Sequence, residues 1–175
     1  MELLCIQSQE HPELPLAELN AVIECEEMDT QVDWVTEGLV ILKDISQENF
    51  NPYYEILTRR LGYTHEVHEL ILKTDVDNLE KDVLTVDWSA YIDESFAVRV
   101  KRIRSEIDTV GYEIKLGTLI LDNSQNIKVN LSKPKTLVRV VAHDNDLFVG
   151  IERIKLDKKH FEDSKPHKRP FFYPG

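Results

Sequence analysis

The first 73 residues set out strand, helix, strand, strand, helix, strand in that order, and few folds accept it. Leu3–Ser8 is a short apolar run that reads as an opening strand. Pro12 and Pro15 then punctuate the chain, and a proline in the first helical turn is tolerated because its missing N–H would be unpaired there anyway. Leu16, Leu19, Val22 and Ile23 recur at near-helical spacing, which predicts a helix over about 14–26. Val32–Thr36 and Leu39–Lys43 flank Glu37-Gly38 and read as a hairpin, with Gly38 free to take a positive φ. Ser46 can cap a second helix with Phe50, Tyr53 or Tyr54, Leu57 and Leu61 on one face, closed by Gly62. Thr64–Lys73 reads as the last strand. This is the order of a ferredoxin-like unit.

The second half is built differently. A helix led by Asp77 is expected within 77–92, with Leu79, Val83 and Val86 on one side. Ser95–Ile103 alternates, sending Phe96, Val98 and Val100 one way and Ala97, Arg99 and Lys101 the other. Ser105 and Asp108 suggest a capping box for a helix whose buried stripe would be Ile107, Val110, Ile114 and Leu121. Two strands follow, Thr136–His143 and Leu147–Lys155. The fold class is therefore α/β (α+β), as two lobes with a boundary near residue 75.

Charge divides the chain close to the same place. Residues 1–94 hold 5 Lys and Arg against 22 Asp and Glu, a net of −17, and residues 95–175 hold 16 against 10, a net of +6. The whole chain is at −11. Phosphate binding depends on local potential, so a basic patch can work on an acidic protein. Arg99, Lys101, Arg102 and Arg104 cluster on one predicted strand, followed by Lys128, Lys133, Lys135 and Arg139. Arg153, Lys155, Lys158 and Lys159 form a third group, and Lys165, His167, Lys168 and Arg169 a fourth. The bland alternative is that these cations neutralise neighbouring acids.

Catalytic and metal chemistry is not legible. The chain lacks G-x-x-x-x-G-K-[ST] and G-x-G-x-x-G, so a nucleotide or nicotinamide site is unsupported. His65 and His68 sit three apart on a predicted strand, which sends their rings to opposite faces and rules out a shared ion. Glu24, Glu26, Glu27 and Asp29 end a helix and read as a solvated face. Cys5 and Cys25 read as buried small apolar residues in a reducing cytoplasm. The N-terminus turns acidic at once and does not read as a signal peptide, and no apolar run is long enough to cross a bilayer as a helix. Aromatic platforms for stacked bases are scarce: Phe96 looks buried, leaving Tyr112, Phe148 and Phe161. That favours recognition through backbone and shape.

Five segments together resemble a known family. They are Phe96-Ala97-Val98-Arg99-Val100-Lys101-Arg102, Ile107 to Ile114, Val129-Asn130-Leu131-Ser132-Lys133-Pro134-Lys135, Val138 to Val141, and Phe148-Val149-Gly150-Ile151. Their order and spacing resemble the THUMP domain, an RNA-binding module of tRNA-modifying enzymes. The family often has Asp where this chain has Asn130. The ending Pro166-His167-Lys168-Arg169-Pro170-Phe171-Phe172-Tyr173-Pro174-Gly175 resembles the segment that enters the catalytic domain of archaeal tRNA guanosine N2-methyltransferases of position ten. The first seventy residues are similar to that family's N-terminal ferredoxin-like domain.

The resemblance implies a ferredoxin-like domain over 1–75, a THUMP domain over 76–163, and a linker over 164–175 to a Rossmann-like domain not present here. That domain would bind S-adenosylmethionine and carry an (N/D)-P-P-Y motif. No catalytic residue, metal ligand or cofactor site is assigned to this chain, which by itself is expected to be no enzyme. Its expected partner is the 3′ end of tRNA in the cytoplasm, held so that the distance to the modified base is set. Arg99, Lys101, Arg102, Lys133, Lys135 and Arg139 are the expected phosphate contacts, with Arg153 and Lys155 as weaker ones. A contact between the acidic half and the catalytic domain stays open. Two rival readings are a free-standing THUMP adaptor serving a separate enzyme, and a ferredoxin-like regulatory or dimerisation module that binds no RNA.

Overall fold

The structure is a computed structural model and describes residues 1–124 and 126–152. Its strands are β1 (Leu3–Gln7), β2 (Gln31–Thr36), β3 (Leu39–Lys43), β4 (Thr64–Asp75), β5 (Ser95–Arg102), β6 (Lys128–Val129), β7 (Thr136–His143) and β8 (Asp146–Glu152). Its helices are α1 (Leu14–Cys25), α2 (Gln47–Arg60), α3 (Leu79–Val83) and α4 (Thr109–Asp122). All eight strands join one sheet in the order β2-β3-β1-β4-β8-β7-β5-β6. The first four, antiparallel at every pairing, reproduce the expected ferredoxin-like strand order. Strand β4 carries the sheet onward. Its first half pairs with β1 and its second half with β8, through a register shift between Leu70 and Leu72. Beyond it, β5 runs parallel to β6 and β7.

Alternation assigns the two faces. Leu3, Cys5, Val40, Leu42 and Val67 meet Leu19 and Val22 of α1 and Phe50, Tyr54 and Leu57 of α2. Farther along the same face, Phe96, Val98, Val138, Val140 and Val149 meet Leu79, Trp88, Leu116 and Ile120. Among the described residues the opposite face carries no helix, yet Leu4, Ile6, Leu39, Ile41, Val141 and Phe148 are fully buried there. The segment after β5 closes this face. Ile103 packs into it, its N–H donates to the Ala142 carbonyl, and the Arg104 guanidinium reaches Glu37 at 3.1 Å in the β2–β3 turn. That turn needs Gly38, whose φ is +86° and where an added Cβ would stand 2.8 Å from the Gln9 side chain.

Several expectations change on contact with packing. Ser46 does cap α2, accepting from the Asn49 amide at 3.3 Å. Gly62 does not close it in a left-handed turn: Leu61 is extended, and Glu18 of α1 accepts the amides of Gly62 and Tyr63, both at 2.9 Å. The helix expected over 77–92 is only the five-residue α3 plus a short 3₁₀ turn at Trp88–Ala90. The buried Trp88 indole donates to the Val83 carbonyl at 2.9 Å and occupies the acceptor that a continuing helix would use. Ser105 does not cap α4. Arg104 takes a φ of 54° and folds the chain back, so the Ser105 hydroxyl donates to the Asp144 carbonyl, and Asp108 caps the helix through the Val110 amide. Cys5 is buried as expected, but Cys25, expected buried, is exposed where α1 ends. The last residues expected in the closing strand, and the 164–175 segment, lie outside the described residues.

Candidate nucleic-acid interface

The cations predicted to hold phosphates are mostly held by carboxylates. Arg139 of β7 donates from Nε to Glu66 at 2.7 Å, and the Lys101 ammonium lies 3.7 Å from the same carboxylate. Glu66 and Arg139 meet although β8 runs between their strands. Gly150 makes the crossing possible: a Cβ there would stand 2.9 Å from the His68 Cβ and 3.1 Å from the Glu69 carbonyl. His68 is fully buried and donates from Nε2 to Glu66 at 2.9 Å. Burial opposes the Glu66 charge, but the His68 hydrogen bond and the charges of Arg139, His68 and Lys101 outweigh it. Together they bring this carboxyl down to about 2.

Arg99 is tied down at the sheet's edge. Its guanidinium donates to the Val98 carbonyl at 2.8 Å and the Leu131 carbonyl at 3.0 Å, and stands 3.6 Å from Glu113 of α4. Glu113 in turn accepts the Val100 amide at 3.0 Å. Lys135 pairs with Glu94, each favouring the other's charged form. Arg102 and Lys133 are exposed with no carboxylate partner among the described residues. Arg153 and Lys155 lie outside those residues. Phe96 and Phe148 are buried and Tyr112 is half-buried, so none of the three offers an open stacking face, while Phe161 is outside the described residues.

The structure also reveals an apolar groove that the sequence reading placed in the core. Leu116 and Ile120 are the buried face of α4, whereas Val110 is 62% and Ile114 66% exposed, and Leu121 is exposed as well. Both sets recur at helical spacing, so periodicity selects two stripes without ranking them; contact with β5 and α3 decides. The outward stripe lines a groove of about 410 Å³ with Phe96, Val98, Gly117, Val129 and Leu131, and Arg99 and Glu113 join the lining. Leu131 is 64% exposed in the loop that also carries Lys133. Asn130 shapes this loop by accepting the amides of Ser132 and Lys133. An uncovered apolar surface flanked by cations can hold the faces of unstacked bases while their phosphates stay outside. Among the described residues no group of His, Cys, Asp or Glu is placed to hold a metal ion. Glu66 was legible only as one acid on an alternating strand, with His68 two residues along on the same face; its cationic partners Lys101 and Arg139 arrive from β5 and β7 and have no local signal.

Residues 73–152 match the model of the THUMP domain. The chain is 40% identical over 176 residues to a tRNA (guanine(10)-N2)-dimethyltransferase of Methanothermobacter thermautotrophicus, over 100% of this chain and 50% of that protein. A protein of the same name from Methanocaldococcus jannaschii is 31% identical over 188 residues, 95% of this chain and 51% of that one. The chain thus spans about half the length of these relatives. Among solved structures, TrmN from Thermus thermophilus superposes with a TM-score of 0.64 at 17% identity, covering 94% of this chain and 49% of that chain. A 4-thiouridine synthetase in complex with RNA and ATP gives 0.61 at 15%, covering 88% and 41%. At such identities these structures speak for the fold alone.

Proposed function

Because residues 73–152 match the model of the THUMP domain, we propose that this chain is the tRNA-binding module of a tRNA guanosine N2-methyltransferase. The longer protein would use S-adenosylmethionine in the cytoplasm, and no residue described here is assigned to that cofactor. The module holds the unpaired 3′ end of tRNA, and the span from that end to the target base sets which guanosine is reached. A fixed span of this kind is a positioning device and requires no reading of the stem sequence. The observation that carries the 3′ end over a general basic surface is the open groove between α4 and β5. Duplex RNA buries its bases, and only unpaired nucleotides have base faces to lay on Val110, Ile114 and Leu131. Arg102 and Lys133 remain free of carboxylates and are the phosphate contacts of this reading; Arg99, Lys101 and Arg139 chiefly hold the protein together.

Anisotropy titrations with tRNA transcripts test it. Ile114→Ser and Leu131→Ser should each weaken binding by about 1.5–3 kcal/mol, the scale of burying one aliphatic side chain. Arg102→Ala and Lys133→Ala should each lower the salt slope by about 0.7, one single-strand phosphate contact. Trimming the unpaired 3′ nucleotides should weaken the wild type and leave the groove variants little further to lose. Additive losses from trimming and groove substitution, or no loss from either, would move the RNA site elsewhere, and no saturable binding by the wild type would favour a ferredoxin-like module without RNA.

A further inference from the structure

At the far end of the sheet from the groove, β2 is a terminal strand with β3 as its one neighbour. Between Gln31 and Trp34 no hydrogen bond to the outer row of its backbone groups is found among the described residues. Proteins usually blunt such an edge with charge, proline or a covering element, because an open row of N–H and C=O groups is a template for another strand. Among the described residues, neither proline nor a covering element lies at the centre of β2. Its single charge, Asp33, is satisfied by Lys43 of β3. Val32 and Trp34 alternate onto one face, opposite Leu42 and Val40, but α1 and α2 do not reach over them: Trp34 is 57% exposed while Val40 and Leu42 are fully buried.

We propose that the open edge of β2 docks a basic, extended segment of another polypeptide as an added strand, anchored on Trp34. Backbone pairing would supply affinity, and Val32 and Trp34 would receive alternate side chains of the incoming strand. An exposed tryptophan at the centre of such a strip is the residue type that most often dominates an interface. Charge decides what kind of partner fits. Glu24, Glu27 and Asp29 are exposed at the end of α1 and in the segment leading into β2, in a half of the chain with 5 basic against 22 acidic residues. Nucleic acid is repelled from such a surface. A second copy pairing through the same strand would set acid against acid and Asp33 against its own counterpart. A segment alternating cationic and apolar residues meets both the apolar row and the acidic surroundings.

The test uses an end-blocked octapeptide alternating Lys and Val, with its Glu–Val counterpart as control. Calorimetry with the whole chain should give a saturable isotherm with the Lys–Val peptide and none with the Glu–Val peptide. Trp34→Ala, at an exposed position where the circular dichroism spectrum should stay that of the wild type, should weaken binding on the order of tenfold or more. Amide exchange should slow at residues 31–35 when the peptide is present. Equal binding by Trp34→Ala, protection spread over α1 in place of β2, or no saturable heat would each overturn the proposal. So would concentration-dependent self-association in sedimentation that Trp34→Ala abolishes, since the occupant would then be a second copy.

Discussion

The two ends of the sheet face the same physical problem and solve it differently. At the β5 end, where β6 covers only Ser95 and Phe96, side chains seal the open backbone: Glu113 takes the Val100 N–H and Arg99 takes the Val98 carbonyl. At the β2 end nothing described does the same, and a tryptophan stands in the open. Arg99, one of the two residues that seal the first edge, is also one of the cations whose charge looked like an RNA site. Charge along a strand therefore says little until its neighbours are known. Cations on an edge can serve the backbone, and an edge left bare is the more informative surface.

The largest effect expected from this comparison lies on α4, which flanks the sealed end. Leu116→Ala should cost about 2–5 kcal/mol, because it empties a fully buried site against β5. Ile114→Ala, two residues away, should stay within about 0.5 kcal/mol. Urea unfolding of the two variants measures both. Similar losses would mean that the outward stripe is core and that the groove is closed in solution.

The next effect belongs to Glu66, which binds the middle of the sheet to the sealed end. Its carboxyl is held near 2 in the folded protein against an ordinary 4.5. A depressed carboxyl stabilises the fold above its unfolded value, and that contribution disappears as pH falls from about 4.5 toward about 2. Glu66→Gln should remove this part of the acid limb and cost about 1–3 kcal/mol at neutral pH, since Arg139 and His68 lose a charged acceptor. Unfolding curves between pH 7 and pH 2.5 read both quantities. An acid limb identical to that of the wild type would mean that Glu66 titrates normally and is not the hub.

How much of this was legible follows from range. The ferredoxin-like order came through because each of its elements has a local signal: the hairpin glycine at Gly38, the Ser46 cap, and the period of Leu19 and Val22. The pairing of β4 with β8 joins residues far apart in the chain and left no mark at either strand. The same limit explains the misassigned stripe on α4. Val110 and Ile114 repeat as well as Leu116 and Ile120, and only the position of β5 tells them apart. For the candidate site, Arg102 and Lys133 keep the exposed charge that composition suggested, while Arg99, Lys101 and Arg139 meet acids that no spacing rule connects to them.

The smallest effect is the one that compares the two edges directly. Glu113→Ala should cost about 1 kcal/mol, because the Val100 N–H loses a charged acceptor and Arg99 loses its nearest carboxylate. Exchange of the Val100 amide should quicken at the same time. Trp34→Ala should change stability by no more than about 0.5 kcal/mol and leave exchange in β2 as it was, because that edge has no seal to lose. Native-state exchange on both variants makes the comparison within one fold. If Trp34→Ala destabilises as much as Glu113→Ala, the indole is packing on its own sheet and the β2 edge is closed in solution. If only Glu113→Ala registers, one end of the sheet is finished by its own side chains and the other is left for a partner.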